Sequence, residues 1–308
     1  MADTTQYLYI PTQIKLFLMH FLTPSQIILQ KRNPSSKKGD NGKVLIIAGS
    51  KDYVGAAALA GLAALRAGSD WVTIAAPEKV AWAINSLSAD LVTKKLSGEY
   101  FSENHAEEIL ELAKHYDAVL IGNGIGLKKE TKRLIRKIIK IPNLKVIDAD
   151  AIKIIGKNDL KNSIITPHIK ELEYFLRNSK VPEKEIKKIV TEKSPEKRAE
   201  LIKKSLKEFF ENNILLLKGH IDTIISQNKT FYNKTGNPGM TKAGTGDVLA
   251  GLCAGFLSQN KNLLQSAINS AYFNGLIGDI LLKKKRGYSF IASDMVEEIK
   301  KIVNLKDS

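Results

Sequence analysis

Val44-Leu45-Ile46-Ile47-Ala48 is an unbroken apolar, β-branched run of strand length, followed by a small-residue helix pattern over 56–66 that closes at Gly68. A run that is apolar at every position reads as a strand buried on both faces. Glycine just past a helix stands where the chain needs a left-handed residue. The same alternation recurs, with strand candidates at 71–75, 118–121, 145–148, 163–166 and 214–218 and helical patterns between them. Strands alternating with helices predict a layered α/β fold, doubly wound around a parallel sheet. Near the end the rhythm changes. Segments 223–226 and 230–233 flank the polar Gln227-Asn228-Lys229 and read as a hairpin, and apolar helix patterns follow over 248–257 and 263–282. No internal repeat or Gly/Ser/Pro-rich linker interrupts residues 40–305. The expected organisation is an N-terminal appendage over 1–30, helical or partly disordered, and one domain over 31–305. The least ordered stretches are expected at the N-terminal tail, the polar region 177–194 and the last few residues. Ligands in such sheets bind beyond the carboxyl ends of the strands.

Composition narrows the function classes. The chain has 308 residues, 44% of them hydrophobic and 26% charged, which excludes a disordered or fibrous chain. Cys253 stands alone, so neither an internal disulfide nor a cysteine-cluster zinc site can form. That usage favours a reducing, cytoplasmic setting. No segment reaches the length of a membrane span. The nearest, residues 14–22, is short, carries Lys15 and His20, and reads as an N-terminal helix packed on the body. The formal charge is +15, yet 40 of the 47 basic residues are lysines spread over solvent-type faces. In Pro182-Glu183-Lys184-Glu185-Ile186-Lys187-Lys188 acids are interleaved with bases, a solvated face rather than a phosphate-reading groove. With no nucleic-acid-binding signature present, the charge points to polyphosphate ligands such as nucleotides and not to nucleic acid.

The most informative motif is Thr235-Gly236-Asn237-Pro238-Gly239-Met240-Thr241-Lys242-Ala243-Gly244-Thr245-Gly246-Asp247, directly before a helix pattern. Gly244 and Gly246 let backbone approach a ligand, and the helix start adds unpaired N–H donors and a positive dipole end. Asp247 would repel an anion bound there. It makes sense as a general base that takes a hydroxyl proton while the N–H cradle stabilises a transferring phosphoryl group. A glycine-rich turn with an acidic first-turn residue is the bland alternative.

This segment resembles the ribokinase-like superfamily, whose anion-hole glycines and catalytic Asp occupy such a Gly-Thr-Gly-Asp. Other segments narrow the resemblance to the ADP/ATP-dependent NAD(P)H-hydrate dehydratases. They are Lys38-Gly39 with Gly42-Lys43-Val44-Leu45-Ile46-Ile47-Ala48-Gly49-Ser50, Tyr53-Val54-Gly55-Ala56-Ala57, Ile121-Gly122-Asn123-Gly124-Ile125-Gly126, Val146-Ile147-Asp148-Ala149-Asp150-Ala151, Thr166-Pro167-His168 with Glu171, and Leu217-Lys218-Gly219. Each is weak alone; in family order over about residues 30–300 the set is specific. On their own residues, Gly49-Ser50 and Gly55-Ala56 flank a loop where a flat ring could lie against backbone. Gly122-Asn123-Gly124-Ile125-Gly126 could admit a dinucleotide's phosphates but is no Rossmann fingerprint, since its third glycine comes one residue early. No Gly-x4-Gly-Lys-Ser/Thr loop is present, which excludes a P-loop enzyme. His168 projects from a strand end; the family commonly has Pro-Gly after it, where this chain has Ile169-Lys170. Lys218 reads either as a surface lysine at a turn or as a charge for nucleotide phosphates.

The resemblance implies a ribokinase-like three-layer αβα sandwich with a mostly parallel central sheet. It implies nucleotide-dependent dehydration of the S-epimer of NADH or NADPH hydrate (NADHX, NADPHX), a metabolite-repair hydro-lyase reaction. Asp247 is then the catalytic residue. Gly55, Ala56, Gly124, His168 and Asp247 face the hydrated dinucleotide, and Lys218, Gly219, His220, Ile221, Asp222, Gly244, Thr245 and Gly246 face ADP or ATP. Mg²⁺ would bridge the nucleotide phosphates with few direct protein ligands, so no metal-ligating residue is assigned. ADP is the expected donor, from the habit of bacterial and archaeal relatives. A homotetramer is the family's quaternary habit. The roughly 40 residues before the first strand are too few for the epimerase domain that many relatives carry, which places an epimerase on another chain. Two alternatives remain. A ribokinase-like small-alcohol kinase would use the same Asp247 but would not require Gly55, Gly124 and His168. A non-catalytic nucleotide sensor would bind nucleotide without Asp247-dependent turnover.

Overall fold

The structure, a computed structural model, describes residues 19–284 and 287–302. Nine strands form one sheet: β1 (Lys43–Ile47), β2 (Trp71–Pro77), β3 (Val92–Leu96), β4 (Ala118–Ile121), β5 (Leu144–Ile147), β6 (Ser163–Ile165), β7 (Asn213–Leu217), β8 (Asp222–Ile225) and β9 (Thr230–Asn233). Their spatial order is β3-β2-β1-β4-β5-β6-β7-β8-β9; β1 to β7 run parallel, β8 is antiparallel to β7, and β9 is antiparallel to β8. The chain therefore winds outward from β1 in one direction, then returns to β4 on the other side of β1 and winds the other way.

Strand β1 shows why helices cover both faces. Val44 and Ile46 enter one core with α1 (Val54–Arg66), α2 (Glu78–Leu87), α9 (Thr245–Asn260), α10 (Leu263–Lys284) and α11 (Ala292–Ile302). Leu45 and Ile47 enter the other, with α3 (Ala106–Ala113), α4 (Lys129–Ile138), α5 (Ala149–Ile152), α6 (Ile169–Asn178), α7 (Glu183–Thr191) and α8 (Pro195–Ser205). Four consecutive fully buried side chains must find apolar partners on opposite faces, because strand side chains alternate. The expected three-layer αβα sandwich with a mostly parallel sheet is what the chain forms.

Three expectations change. The polar region 177–194, expected to be poorly ordered, contains the end of α6 and all of α7, whose Ile186 and Ile189 are buried. Strand β3 has no counterpart in the sequence reading; its Thr93-Lys94-Lys95 centre looks like surface because β3 is a sheet edge. Of the helix expected over 14–22, residues 14–18 lie outside the described residues and 19–22 are not helical. There Phe21 bridges Tyr232 in parallel, and the Leu22 N–H donates to Tyr232 O (2.8 Å), extending the β9 edge. The segment then crosses the α10 face, where Asn269 Nδ2 donates to Ile28 O (2.7 Å), and reaches Asp70 through Arg32 (3.3 Å).

Candidate active site

The reversal of winding between β1 and β4 opens a crevice at the carboxyl ends of the strands. Its floor is tied together by backbone: Gly122 N–H donates to Ile47 O (3.1 Å) and Gly49 N–H to Asn123 O (2.8 Å). Gly124 adopts φ +64°, and a Cβ there would lie 2.5 Å from Tyr53 Cβ and 3.3 Å from Ala56 Cβ. Only glycine lets the loop after β4 come this close to the start of α1. Gly124 and Ala56 are thus adjacent, with Gly55 exposed beside them and open space where its side chain would be.

Helix α9 enters the crevice from above. Its N-cap, Gly244, has φ +93°, and a Cβ there would meet Ala292 and Leu59 at 2.8 Å. Thr245 Oγ1 donates to Met240 O (2.7 Å) and Lys242 O (3.0 Å), and the helical ladder begins with Val248 N–H on Gly244 O (3.1 Å). The N–H groups of Gly246 and Asp247 lie in the first turn, where the ladder offers no partner. The preceding loop is fixed from α10: Asp279 accepts from Gly236 N–H (2.9 Å) and Asn237 Nδ2 (3.1 Å). Lys242 Nζ holds the other side by donating to the carbonyls of Tyr288 and Phe290.

Asp247 meets a polar network drawn from four strand ends. Asn123, after β4, donates from Nδ2 to Asp247 Oδ1 (2.7 Å) and to Asp148 Oδ2 (2.9 Å). Asp148, after β5, also accepts on Oδ1 from Thr166 Oγ1 (2.7 Å), after β6, and from Lys218 Nζ (2.9 Å), after β7. Glu171 Oε2 stands 3.7 Å from Lys218 Nζ. Asn123, Asp148, Thr166 and Glu171 are all buried. Burial pushes the Asp247 carboxyl up to about 7, with Asp148 and Glu171 adding to the rise and the Asn123 bond and Lys218 opposing it. A base with a proton affinity near neutrality is what general-base chemistry asks for.

The other expected positions fall around this centre. His168 caps α6: its Nδ1 accepts from the N–H groups of Lys170 (3.1 Å) and Glu171 (3.3 Å), which leaves the proton on Nε2, 3.4 Å from Glu171 Oε1. About half of its side chain is exposed, and burial of the rest holds its pKa below the ordinary imidazole range. Ile169-Lys170 simply opens α6. Gly219 and His220 are exposed in the turn after β7, and Ile221 and Asp222 are partly buried. The Asp222 carboxylate serves that turn, accepting from Gly219 N–H (3.0 Å) and Asn233 Nδ2 (3.2 Å), and burial raises its pKa to about 6. Lys218 is no free surface lysine. Cys253 is fully buried in α9, which pushes its thiol up to about 12, so it is a core residue and no nucleophile. The sequence reading quoted Asn123, Asp148, Thr166 and Glu171 inside motifs without assigning them to the site. Asn123, Asp148 and Thr166 share one signal, a place just past the carboxyl end of a parallel strand, and Glu171 lies in the first turn of α6, the helix that follows β6.

A polar centre of this kind beside a helix N-terminus can bind a phosphorylated ligand and take a proton from it. Comparison with known proteins gives the arrangement a family. Residues 44–301 match the family model described as NAD(P)H-hydrate dehydratase. The chain is 40% identical over 284 residues to the bifunctional NAD(P)H-hydrate repair enzyme Nnr of Methanocaldococcus jannaschii, covering 90% of this chain and 51% of that protein. It thus spans about half the length of such bifunctional relatives. To the ADP-dependent (S)-NAD(P)H-hydrate dehydratase of Cenarchaeum symbiosum it is 33% identical over 271 residues, covering 86% of this chain and 90% of that one. Among solved structures, it is similar to the ADP/ATP-dependent NAD(P)H-hydrate dehydratase of Bacillus subtilis co-crystallized with ATP/Mg²⁺. That match has 25% identity and a TM-score of 0.73, and covers 94% of this chain and all of the other. With a family model spanning both the β1–β4 crevice and the start of α9, the chain belongs to the NAD(P)H-hydrate dehydratase family.

Proposed function

We propose that this protein dehydrates the S-epimer of NADH or NADPH hydrate back to the reduced dinucleotide, consuming ADP, or alternatively ATP, as co-substrate. The observation that carries this reading is Asp247. It sits in the first turn of α9, buried enough to hold its proton near neutral pH, with unpartnered N–H groups beside it. The names of the Cenarchaeum symbiosum and Bacillus subtilis relatives support the substrate and the donor.

Asp247 takes the proton of the ring hydroxyl as that oxygen attacks the terminal phosphorus of the nucleotide, whose bond to the bridging oxygen breaks to release AMP from ADP or ADP from ATP, and the N–H groups around Ala243, Gly244, Thr245 and Gly246 stabilise the phosphoryl oxygens. The ring then loses phosphate from one carbon and a proton from its neighbour, which restores the double bond. Gly55, Ala56, Gly124 and His168 line the dinucleotide side, and Lys218 with Gly219, His220, Ile221 and Asp222 the nucleotide side. Magnesium favours phosphate oxygens and water over protein cages. The ion we propose arrives on the nucleotide phosphates. A hydrate epimerase is the functional partner we infer, a reading supported by the naming of longer relatives as bifunctional repair enzymes. A homotetrameric assembly rests on the family's habit, and a cytoplasmic setting on the lone Cys253.

The test is the absorbance of reduced nicotinamide with hydrated NADH, Mg²⁺ and either ADP or ATP. A nucleotide-dependent rise that disappears in Asp247→Asn supports the reaction and reveals the donor. A flat trace from folded protein with both nucleotides overturns it and turns the search to small-alcohol kinase substrates.

A further inference from the structure

We infer that Asn123 is a positioning residue for Asp247, its side-chain amide tying one oxygen of that carboxyl to Asp148 and leaving the other to accept a substrate proton. The inference rests on the base role proposed above for Asp247. It stands on the hydrogen-bond geometry at the centre of the crevice.

Asn123 is fully buried, and its backbone is pinned by the Gly49 N–H. Both hydrogens of its Nδ2 are committed, one to Asp247 Oδ1 at 2.7 Å and one to Asp148 Oδ2 at 2.9 Å. The amide cannot be turned over, because the flip would press Oδ1 against two carboxylates. Its own Oδ1 is buried without a hydrogen-bond partner among the described residues. A side chain kept only for packing would do better as an apolar isostere, which leaves no acceptor unpaired. The orphaned oxygen marks Asn123 as held there for its two N–H groups.

What those groups do follows from the charges that face Asp247. From β5 comes Asp148, from α6 Glu171 and from β7 Lys218; His168, at the head of α6, faces Glu171 and Lys218. The two carboxylates favour the protonated form of Asp247. Lys218 favours the ionised form, but it is paired with Asp148 at 2.9 Å and stands 3.7 Å from Glu171. Asn123 is thus the one side chain among the described residues whose direct hydrogen bond favours ionised Asp247. Among those residues Oδ2 of Asp247 has no hydrogen bond, so the same contact that steadies the carboxylate also decides which oxygen remains for a substrate hydroxyl.

The experiment follows the Asp247 carboxyl directly. In the full chain labelled with ¹³C at aspartate carboxyls, the Asp247 resonance is identified by its loss in Asp247→Asn and titrated without substrate. In Asn123→Ala its midpoint is expected to rise by about one pH unit, the effect of losing one hydrogen bond to a charged group. The acid limb of kcat/KM for the hydrated dinucleotide should move by the same amount, while the KM for nucleotide stays within about two-fold. Asn123→Ser, too short to span both carboxylates, should also raise the midpoint and serves if the alanine variant does not fold. An unchanged Asp247 midpoint in either folded variant overturns the inference. Should wild-type protein produce no reduced nicotinamide, the proposed reaction fails, and the ¹³C midpoints still decide the role of Asn123.

Discussion

Lys218 and Asp148 form an ion pair across strand β6: Nζ, at the end of β7, lies 2.9 Å from Oδ1, at the end of β5. Asp148 is 2% exposed and the Lys218 side chain 20%. Burial works to strip the Lys218 proton, and the carboxylates of Asp148 and Glu171 overcome it, so that the ammonium titrates above the ordinary lysine range. Lys218 therefore stays charged at neutral pH, and the pair faces Asp247.

Lys218→Met removes the cation and leaves Asp148 buried with only Asn123 and Thr166. Breaking such a pair from one side costs about 3 kcal/mol, read as a lower urea midpoint with an unchanged slope. Because the Lys218 pKa is raised on folding, the pair's contribution is fully present below the unfolded lysine pKa and is lost as pH climbs through the folded one. An unchanged urea midpoint at pH 7 would show that water replaces the ammonium and that the pair carries no stability.

On the proposed reaction, the Asp247 carboxyl, raised to about 7, should set the pH dependence of turnover. A general base must be ionised, so kcat/KM for the hydrated dinucleotide should climb from about pH 6 to 8 with a midpoint near 7. Asp247→Asn should lower kcat about 10³-fold, within the range general bases contribute, while nucleotide affinity measured by calorimetry changes no more than a few-fold. A variant that keeps a tenth of wild-type turnover would remove Asp247 from the chemistry.

How much of this could be read beforehand depends on whether the information is local. The glycine-rich start of α9 was legible because Gly244, Thr245, Gly246 and Asp247 form one run. The buried strands were legible for a similar reason: Val44 to Ile47 have no polar position, and a doubly buried strand needs none. The network around Asp247 was not, since Asn123, Asp148, Thr166, Glu171 and Lys218 are scattered over almost a hundred positions. They meet only because β4, β5, β6 and β7 lie side by side, and strand order is a property of packing that no local pattern records. The edge strand β3 escaped because Lys94 and Lys95, which keep an edge from pairing with other chains, also disguise it as a loop. Residues 177–194 were misread through charge density, although Ile186 and Ile189 keep helical spacing.

Stability should carry the mark of Asp247 as well. The folded chain holds that carboxyl's proton up to about pH 7, whereas the unfolded chain releases it near pH 4. The folded state therefore binds more protons across this window, and its stability falls as pH rises through it. Asp222, raised to about 6, acts in the same direction, so the wild-type curve alone does not isolate one group. The difference between Asp247→Asn and wild type does. It should be small at pH 4 and reach on the order of 4 kcal/mol in favour of the variant at pH 8. A difference that stays flat with pH would mean that Asp247 is as well solvated when folded as when unfolded.

Two glycines of the α9 entry separate folding from binding. At Gly244 the backbone is left-handed, φ +93°, and a Cβ would meet Ala292 and Leu59 at 2.8 Å. Gly244→Ala should therefore cost about 1–2 kcal/mol in backbone strain and displace the start of the helix. At Gly246 the nearest atom to an added Cβ is Lys218 Nζ, 3.6 Å away, an ordinary contact. Gly246→Ala should melt within about 2 °C of wild type, since nothing in the fold resists it. Yet its methyl group stands between the first-turn N–H groups and Lys218, in the space proposed for phosphate. Nucleotide affinity should fall at least ten-fold in Gly246→Ala at unchanged stability. Retention of wild-type affinity there would place the phosphates elsewhere in the crevice.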